Sequence, residues 1–378
     1  MPRPVPVLLM VRALDLGGTE RQVSALARSL DRDKFTPHVG CFQATGLRLA
    51  DLEDNGVPVV RFRIDSMRSP VSLAGVAEIR RYILRNGIRL VHAFDYPTIL
   101  IGIPVARTCP GVVAVASQRC HRTLLPGWPH RMQRITDRMA DGIVVNCEYI
   151  VRHMIEEEGV GADLIHLCYN GIDTGVFRPI PEERRIPEVA DASLVIGVAC
   201  ALRPEKNLAL LLEAFARVRP QSAGMKLLLV GDGASKEELQ ALASRLGIGE
   251  DCAFVPAVRD VAPCFRSMDI VVLPSVSEAF SNSLMEAMAC GCAVAASNIG
   301  GNVELVFPGR TGLLFDPLNA GQLATALATL IQDQALRTRL ASAGCELIRS
   351  RFSLEASARS MEGIYDGLLE KRPAQSIP

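Results

Sequence analysis

Short runs of β-branched and aliphatic residues alternate with amphipathic stretches of helical period along the chain, and the alternation comes in two series. The first offers strands near 5–11, 36–42, 57–62, 89–94, 112–117, 142–146 and 164–168, with helical periodicity at 19–30, 73–86, 97–107, 129–140 and 147–158. The second offers strands near 194–200, 225–230, 252–256, 269–273, 292–296 and 312–315, with helices near 207–219, 235–246, 260–267, 282–290, 319–332 and 333–350. Strand and helix in strict alternation imply a parallel sheet covered on both faces. Two such series predict two doubly wound α/β domains, and 378 residues are comfortable for two cores and too many for one. The seam falls in Asn170 to Ser193, a stretch with Gly171, Gly175, Pro179, Pro181, Pro187 and no clear period. The expected domains are therefore 1–172 and 173–354.

Composition removes several function classes. Hydrophobic residues are 49% and charged residues 22%, the balance of a soluble globular protein, and the formal net charge of zero gives no field for nucleic acid. Residues 1–172 hold 21 Lys+Arg against 17 Asp+Glu, so the first domain is mildly basic, which suits an anionic ligand or surface. Eleven cysteines are scattered without a Cys-x-x-Cys pair, and the histidines complete no metal-ligand spacing. They read as reduced, partly core thiols in a cytoplasmic protein, with neither a disulfide framework nor zinc. Met1 to Val11 is apolar but short and runs into Arg12 and Asp15, which reads as a first strand more than a signal peptide. No stretch reaches the roughly 18 apolar residues of a membrane span.

Ligands of open α/β sheets bind beyond the carboxyl ends of the strands, so two such domains facing each other would carry their chemistry on loops that follow strands. After the strand Ile270 to Leu273 comes a polar loop with Glu278, then a helix that Ser281 or Asn282 can cap, with Glu286 about one turn in. The amides of Phe280, Ser281 and Asn282 would then point beyond the strand, a natural seat for a phosphate, and the two acids could accept sugar hydroxyls. Read alone, both acids could equally be solvated surface residues. After the strand Val195 to Ala199, Arg203 offers a planar fork and Lys206 a point charge, a pair suited to a diphosphate or, alternatively, to Glu205 in a charged loop. Gly231-Asp232-Gly233 and Gly17-Gly18 are glycine turns after strands, and either can be only a turn. Gly17-Gly18 lacks the Gly-x-Gly-x-x-Gly spacing and the downstream acid of a dinucleotide site. Gly300-Gly301 with Glu304 is uninformative alone.

Taken together and in order, Gly17-Gly18-x-Glu20, Asn170-Gly171-Ile172-Asp173, Arg203 with Lys206, Gly231-Asp232-Gly233, Glu278 with Glu286, and Gly300-Gly301-x-x-Glu304 resemble the family 4 glycosyltransferases over essentially the whole chain. The resemblance implies the GT-B fold, two Rossmann-like domains facing a central cleft: an acceptor domain (1–172) and a nucleotide-sugar donor domain (173–354), with a last helix at about 355–370 crossing back onto the first. It implies a retaining, metal-independent transfer of a hexose or N-acetylhexosamine from a UDP- or GDP-sugar, without cofactor. Attack would come from the front face and the leaving phosphate oxygen would take the acceptor's proton, so no protein nucleophile is needed. Arg203 and Lys206 would bind the donor diphosphate and, with Glu278, form the catalytic set. Glu278 would hold sugar hydroxyls, Phe280, Ser281 and Asn282 would touch sugar and phosphate, and Glu286 would hold the ribose. Gly17, Gly18, Gly231 and Gly233 would line the donor site.

The chain departs from the family pattern at four places. Glu278-Ala279-Phe280-Ser281 stands for the common Glu-Gly-Phe-Gly, Asn207 follows Lys206 where Gly is frequent, and Pro256-Ala257 stands where a Phe-x-Gly often lies near the base. Arg119, with His121 two residues on, stands where many members carry a donor-sugar histidine. His92, with Asp95 behind it, and Arg119 and His121 are thus the expected acceptor or sugar contacts, with a satisfied strand-end histidine as the alternative for His92. Arg119, Arg122, Arg131, Arg134 and Arg138, with Trp128 among them and only Asp137 opposed, could meet a lipid-linked acceptor or the anionic inner face of a membrane; a solvated helix face is the alternative. An epimerase on the same fold and a non-catalytic sugar-nucleotide binder are the competing readings.

Overall fold

The computed structural model describes residues 3–15, 17–46, 48–65, 70–122, 127–182 and 185–372. The chain divides into two compact units, Met1–Gly171 with Leu354–Pro378, and Ile172–Ser353.

The first unit holds β1 (Val5–Ala13), β2 (Phe35–Gln43), β3 (Val59–Arg61), β4 (Leu90–Ala93), β5 (Val113–Gln118), β6 (Gly142–Val145) and β7 (Ile165–Leu167). The strand order is β3-β2-β1-β4-β5-β6-β7, and every pairing is parallel. Its helices are α1 (Gly18–Ser29), α2 (Arg48–Glu53), α3 (Pro70–Arg85), α4 (Tyr96–Arg107), α5 (Trp128–Asp137) and α6 (Glu148–Arg152). Central strands here are buried along their length, as strands covered by helices on both faces must be. Where β4 ends, Asp95 starts α4 through a capping box: its carboxylate accepts from the Thr98 amide at 3.1 Å while its own amide donates to Thr98 Oγ1 at 3.3 Å.

The second unit repeats the scheme with β8 (Leu194–Ala199), β9 (Met225–Val230), β10 (Cys252–Val255), β11 (Ile270–Leu273), β12 (Ala293–Ser297) and β13 (Leu313–Phe315), in the order β10-β9-β8-β11-β12-β13, again all parallel. Its helices are α7 (Leu208–Val218), α8 (Lys236–Arg245), α9 (Ala262–Arg266), α10 (Asn282–Ala289), α11 (Ala320–Gln332) and α12 (Gln334–Arg351). The core joins the inward residues of β8, β9 and β11 to Leu211, Phe215, Leu323 and Leu327 of α7 and α11. In both units consecutive strands run outward from a centre and the order then reverses, so a switch point lies between β1 and β4 and another between β8 and β11.

The last helix, α13 (Leu354–Lys371), belongs to the first unit. Met361, Tyr365 and Leu368 join the core formed by Val7, Leu9 and Val115, and Tyr365 meets Phe35 edge to face at 5.8 Å. Each such side chain taken fully from water contributes about 1.5–3 kcal/mol. Among the described residues, no helix is long and apolar enough to cross a membrane.

Three elements differ from the sequence expectation. α2 was not expected: it has six residues and one buried side chain, Leu52, too little for a helical period to register. The helix expected to 140 ends at Asp137. The helix expected over 147–158 is α6 followed by a wider π turn, His153–Glu157.

Candidate active site

The switch point of the second unit brings together two loops that are 72 residues apart at their point of contact. Lys206, in the loop after β8, donates through Nζ to Glu278 Oε1, in the loop after β11. The backbones are tied as well, the Val276 amide donating to the Glu205 carbonyl at 2.9 Å. Lys206 is mostly buried, and burial is the largest influence on it and opposes its charge. The charge and hydrogen bond of Glu278, with smaller contributions from Cys200 and Glu205, together outweigh that burial and raise the Lys206 pKa, so the ammonium persists at neutral pH. Arg203 lies differently: its side chain is 66% exposed and 3.9 Å from Glu205. An exposed pair of that kind fixes little.

Behind Glu278 stands a buried polar chain that the sequence did not disclose. Ser275 Oγ donates to Glu278 Oε1 at 2.9 Å, and Ser297 Oγ donates to the Ser275 carbonyl at 2.7 Å. Asn302 Nδ2 donates to the Ser297 carbonyl at 3.1 Å and to Ser297 Oγ at 3.3 Å. All three side chains are fully buried. The Gly300-Gly301 turn also earns a place here. The Gly301 amide donates to the Ala279 carbonyl at 2.7 Å, and a Cβ on Gly301 would overlap that oxygen. The only sequence signal for this network is a serine just past β11 and another ending β12, which means something once those strands are known to be neighbours.

Ser281, rather than Asn282, is the N-cap of α10, its hydroxyl accepting from the Leu284 amide at 3.2 Å. Phe280 and Ser281 are buried, and so is Glu286, at 2% exposure. Glu286 is therefore not a surface helix acid; a carboxylate out of water must be matched by polar partners.

Gly231 (φ 141°) and Gly233 (φ 159°) bring the loop after β9 against the loop after β8. A Cβ on either would overlap the carbonyl oxygen of Cys200 or Leu202, and the Leu202 amide donates to the Asp232 carbonyl at 3.0 Å. Asp232 is held by the Ala257 amide at 2.8 Å and Lys236 Nζ at 3.0 Å. Asn207 is the one non-glycine described residue with positive φ, at 52°, and its Nδ2 donates to the Pro317 carbonyl at 2.8 Å. The departure from glycine after Lys206 is thus absorbed by a residue that tolerates the left-handed region.

In the first unit, Gly17 caps α1 without a side chain, and the Glu20 carboxylate folds back to where a Gly17 Cβ would be. Burial, then the carboxylates of Asp95 and Asp15, push the Glu20 pKa up against its backbone hydrogen bond. Arg119 donates to Asn170 Oδ1 and lies over the Phe94 ring at 5.7 Å, with burial lowering its pKa to about 10. Gly171 is clamped by Gln22, whose amide group donates to its carbonyl at 2.9 Å and accepts from its amide at 3.1 Å.

His92 was expected as an acceptor or sugar contact, with a satisfied strand-end histidine as the alternative. It is fully buried, with Nδ1 2.7 Å from Tyr365 Oη and Nε2 2.8 Å from Ser117 Oγ, so both ring nitrogens are satisfied internally. His121 stacks on His153 with centroids 3.6 Å apart. The arginine group also divides: Arg122 is buried against Asp137 (2.7 Å) and Glu158 (3.5 Å), while Arg131, Arg134 and Arg138 are exposed on or beside α5.

Two doubly wound parallel-sheet units, with an acid–lysine pair and a capped helix at the switch point of the second, define the GT-B class of glycosyltransferase folds. Residues 16–176 match Glycosyltransferase Family 4 and residues 179–346 match Glycosyl transferases group 1, and the chain belongs to that group of proteins. It is 32% identical over 247 residues to the D-inositol 3-phosphate glycosyltransferase of Stackebrandtia nassauensis, covering 62% of this chain and 55% of that one. The protein of the same name from Acidothermus cellulolyticus is 30% identical over 250 residues, covering 62% and 55%. The matched region thus spans about half the length of these relatives. Among solved structures, Anabaena HepE in complex with UDP and glucose superposes with a TM-score of 0.85 at 24% identity, over 96% of this chain and all of that one. A glycosyltransferase from Rickettsia africae gives 0.84 at 20% identity, over 98% and 100%.

Proposed function

We propose that the protein transfers a sugar, with retention and without metal or cofactor, from a UDP- or GDP-sugar to an acceptor. The observation that carries this reading is the Lys206–Glu278 pair at the β8/β11 switch point, beside the N-terminus of α10. A lysine kept charged in a mostly buried setting suits the diphosphate of a leaving nucleotide, where stabilising developing charge in a water-poor site has most effect. Glu278, held by Ser275 and Lys206, would accept sugar hydroxyls. The amides of Phe280 to Asn282 would receive sugar and phosphate, Glu286 the ribose, and Arg203 the diphosphate from its exposed position. Gly231 and Gly233 would shape the donor loop, while Gly17 and Gly18 would offer backbone amides to an anion. With His92 internally satisfied, Arg119 is the first candidate for an acceptor contact.

The acceptor proposed is a lipid-linked or cell-envelope glycan precursor; D-inositol 3-phosphate, named in the relatives, is the soluble alternative. On α5, Trp128, Met132 and Ile135 are exposed large apolar residues spaced four and three apart, with Arg131, Arg134 and Arg138 between and beyond them. That face suits peripheral docking on an anionic membrane. Vesicle flotation tests this: recovery independent of anionic lipid removes the membrane from the proposal.

The decisive experiment for the reaction is thermal shift and nucleotide release over a panel of UDP-, GDP- and ADP-sugars. A donor that binds the native state raises the melting temperature. A shift with one donor, lost in Glu286→Gln, supports the reading. Release that needs no acceptor and yields an isomerised sugar would identify an epimerase, and binding without turnover would identify a scaffold.

A further inference from the structure

Three side chains of the first unit, among them His121, the expected acceptor or sugar contact, converge beside the carboxyl ends of β5 and β6. His121 lies in the loop after β5. His153 and Glu157 are the ends of the π turn that follows α6, four residues apart and on one face. His121 Nε2 is 3.7 Å from Glu157 Oε2, and His153 Nδ1 is 3.1 Å from the same oxygen. All three ligand atoms lie within 4.8 Å of one another. Metal–ligand bonds of about 2.0–2.2 Å in tetrahedral geometry separate the ligand atoms by about 3.3–3.6 Å, so the two measured spacings bracket the required value. His153 is 3% exposed, and its Nδ1 faces the Glu157 carboxylate, the position a shared ion would take between them. Glu157 is on the solvent side at 60% exposure, which leaves an entry path and room for a water as fourth ligand.

We infer that His121, His153 and Glu157 form a binding site for a borderline divalent transition-metal ion such as zinc or cobalt, bridging the β5 loop to the turn after α6. Imidazole nitrogens with one carboxylate are a donor set for such ions and a poor one for magnesium or calcium. A carboxylate also lies near the other ring nitrogen of His153, although a shift of the side chain is needed to bring it into hydrogen-bond range. When Nδ1 of His153 takes the metal, its proton moves to Nε2, which is 3.7 Å from Glu158 Oε1. This gives up a 3.4 Å contact in which the Arg122 amide donates to Nε2. Glu158 is itself fixed by His130 Nε2 at 2.8 Å and by Arg122. A carboxylate behind a ligating histidine orients the ring and raises its basicity. The ion would act structurally, cross-linking two strand-end segments, and it takes no part in the metal-independent transfer proposed above.

The test is cobalt titration of the full chain, followed by visible absorption, because eleven free cysteines could also bind a soft ion. The expected result is one equivalent of cobalt with d–d absorption and no thiolate charge-transfer band. Glu157→Gln and His153→Gln should each weaken it at least about tenfold, the scale on which even an outer partner acts. The exposed control Glu156→Gln should leave it unchanged. Glu157 is at the surface, so its variant folds whether or not His153→Gln does. A thiolate band, no cobalt spectrum, or affinity unaltered in Glu157→Gln would each overturn the site.

Discussion

Lys206 Nζ meets Glu278 Oε1 across the switch point of the second unit, and the same carboxylate oxygen accepts from Ser275 Oγ at 2.9 Å. One oxygen therefore holds the cation and is itself held by the strand end below it. Replacing Lys206 by Met should cut the rate of nucleotide release roughly 100- to 1000-fold, the loss typical of one preorganised charge-stabilising donor. Initial rates at saturating donor check this. A rate within threefold of the parent would mean the lysine is only a partner for Glu278.

Ser275→Ala removes one hydrogen bond and leaves Glu278 with Lys206. A stability loss of about 1 kcal/mol is expected from urea unfolding. If the serine positions the acid, KM for the donor rises as well; equal donor affinity in parent and variant would make Ser275 a purely structural residue.

Gly231→Ala and Gly301→Ala both drive a methyl into a carbonyl oxygen of a neighbouring loop, those of Cys200 and Ala279. Each should lower stability by about 2 kcal/mol or more, since backbone must move. Gly56→Ala is the comparison: its φ is also positive, at 64°, but nothing lies within 4 Å of the new methyl. Its loss should stay near 1 kcal/mol. Melting temperatures of the three variants order the effects.

Asn207→Val should be destabilising by about 2 kcal/mol, combining a β-branched residue at φ 52° with the lost hydrogen bond to Pro317. Asn207→Gly should recover the conformation and lose only the bond. Equal stability of the two variants in chemical unfolding would show that the left-handed conformation carries no cost here.

Burial holds the His92 pKa well below its ordinary value of 6.5, with the Arg119 charge acting in the same direction. The unfolded chain therefore binds the extra proton first, and stability present above about pH 6.5 is lost as pH falls below it. The limiting slope for one such group is about 1.4 kcal/mol per pH unit. Burial depresses His38 and His166 with the same sign. Unfolding free energies at pH 7.5 and 5.5 should differ less in His92→Gln than in the parent, although the variant is weaker at both. An undiminished pH dependence would place the titration elsewhere.

Much of this protein is written locally. The period of each segment announced thirteen strands and most helices, because an element buried on one or both faces must repeat its apolar residues at its own pitch. The loops that follow strands could be named in advance, and with them Lys206, Glu278 and the glycines at 17, 231 and 301. Short elements escaped: α2 has too few residues for a period, and the π turn at His153–Glu157 reads as ordinary helix.

What the order of residues could not decide is which of those loops are neighbours. Lys206 and Glu278 are 72 residues apart, and His92 and Tyr365 are 273 apart. Their meetings follow from strand order, which puts β8 beside β11 and brings α13 back under β4. Only that arrangement turns Ser275, Ser297 and Asn302 into a support for Glu278, converts His92 from a candidate contact into a core residue, and gathers His121 with His153 and Glu157. Side-chain type and spacing determine the element, whereas burial and partners are properties of the space between elements, and they exist once the sheets have formed.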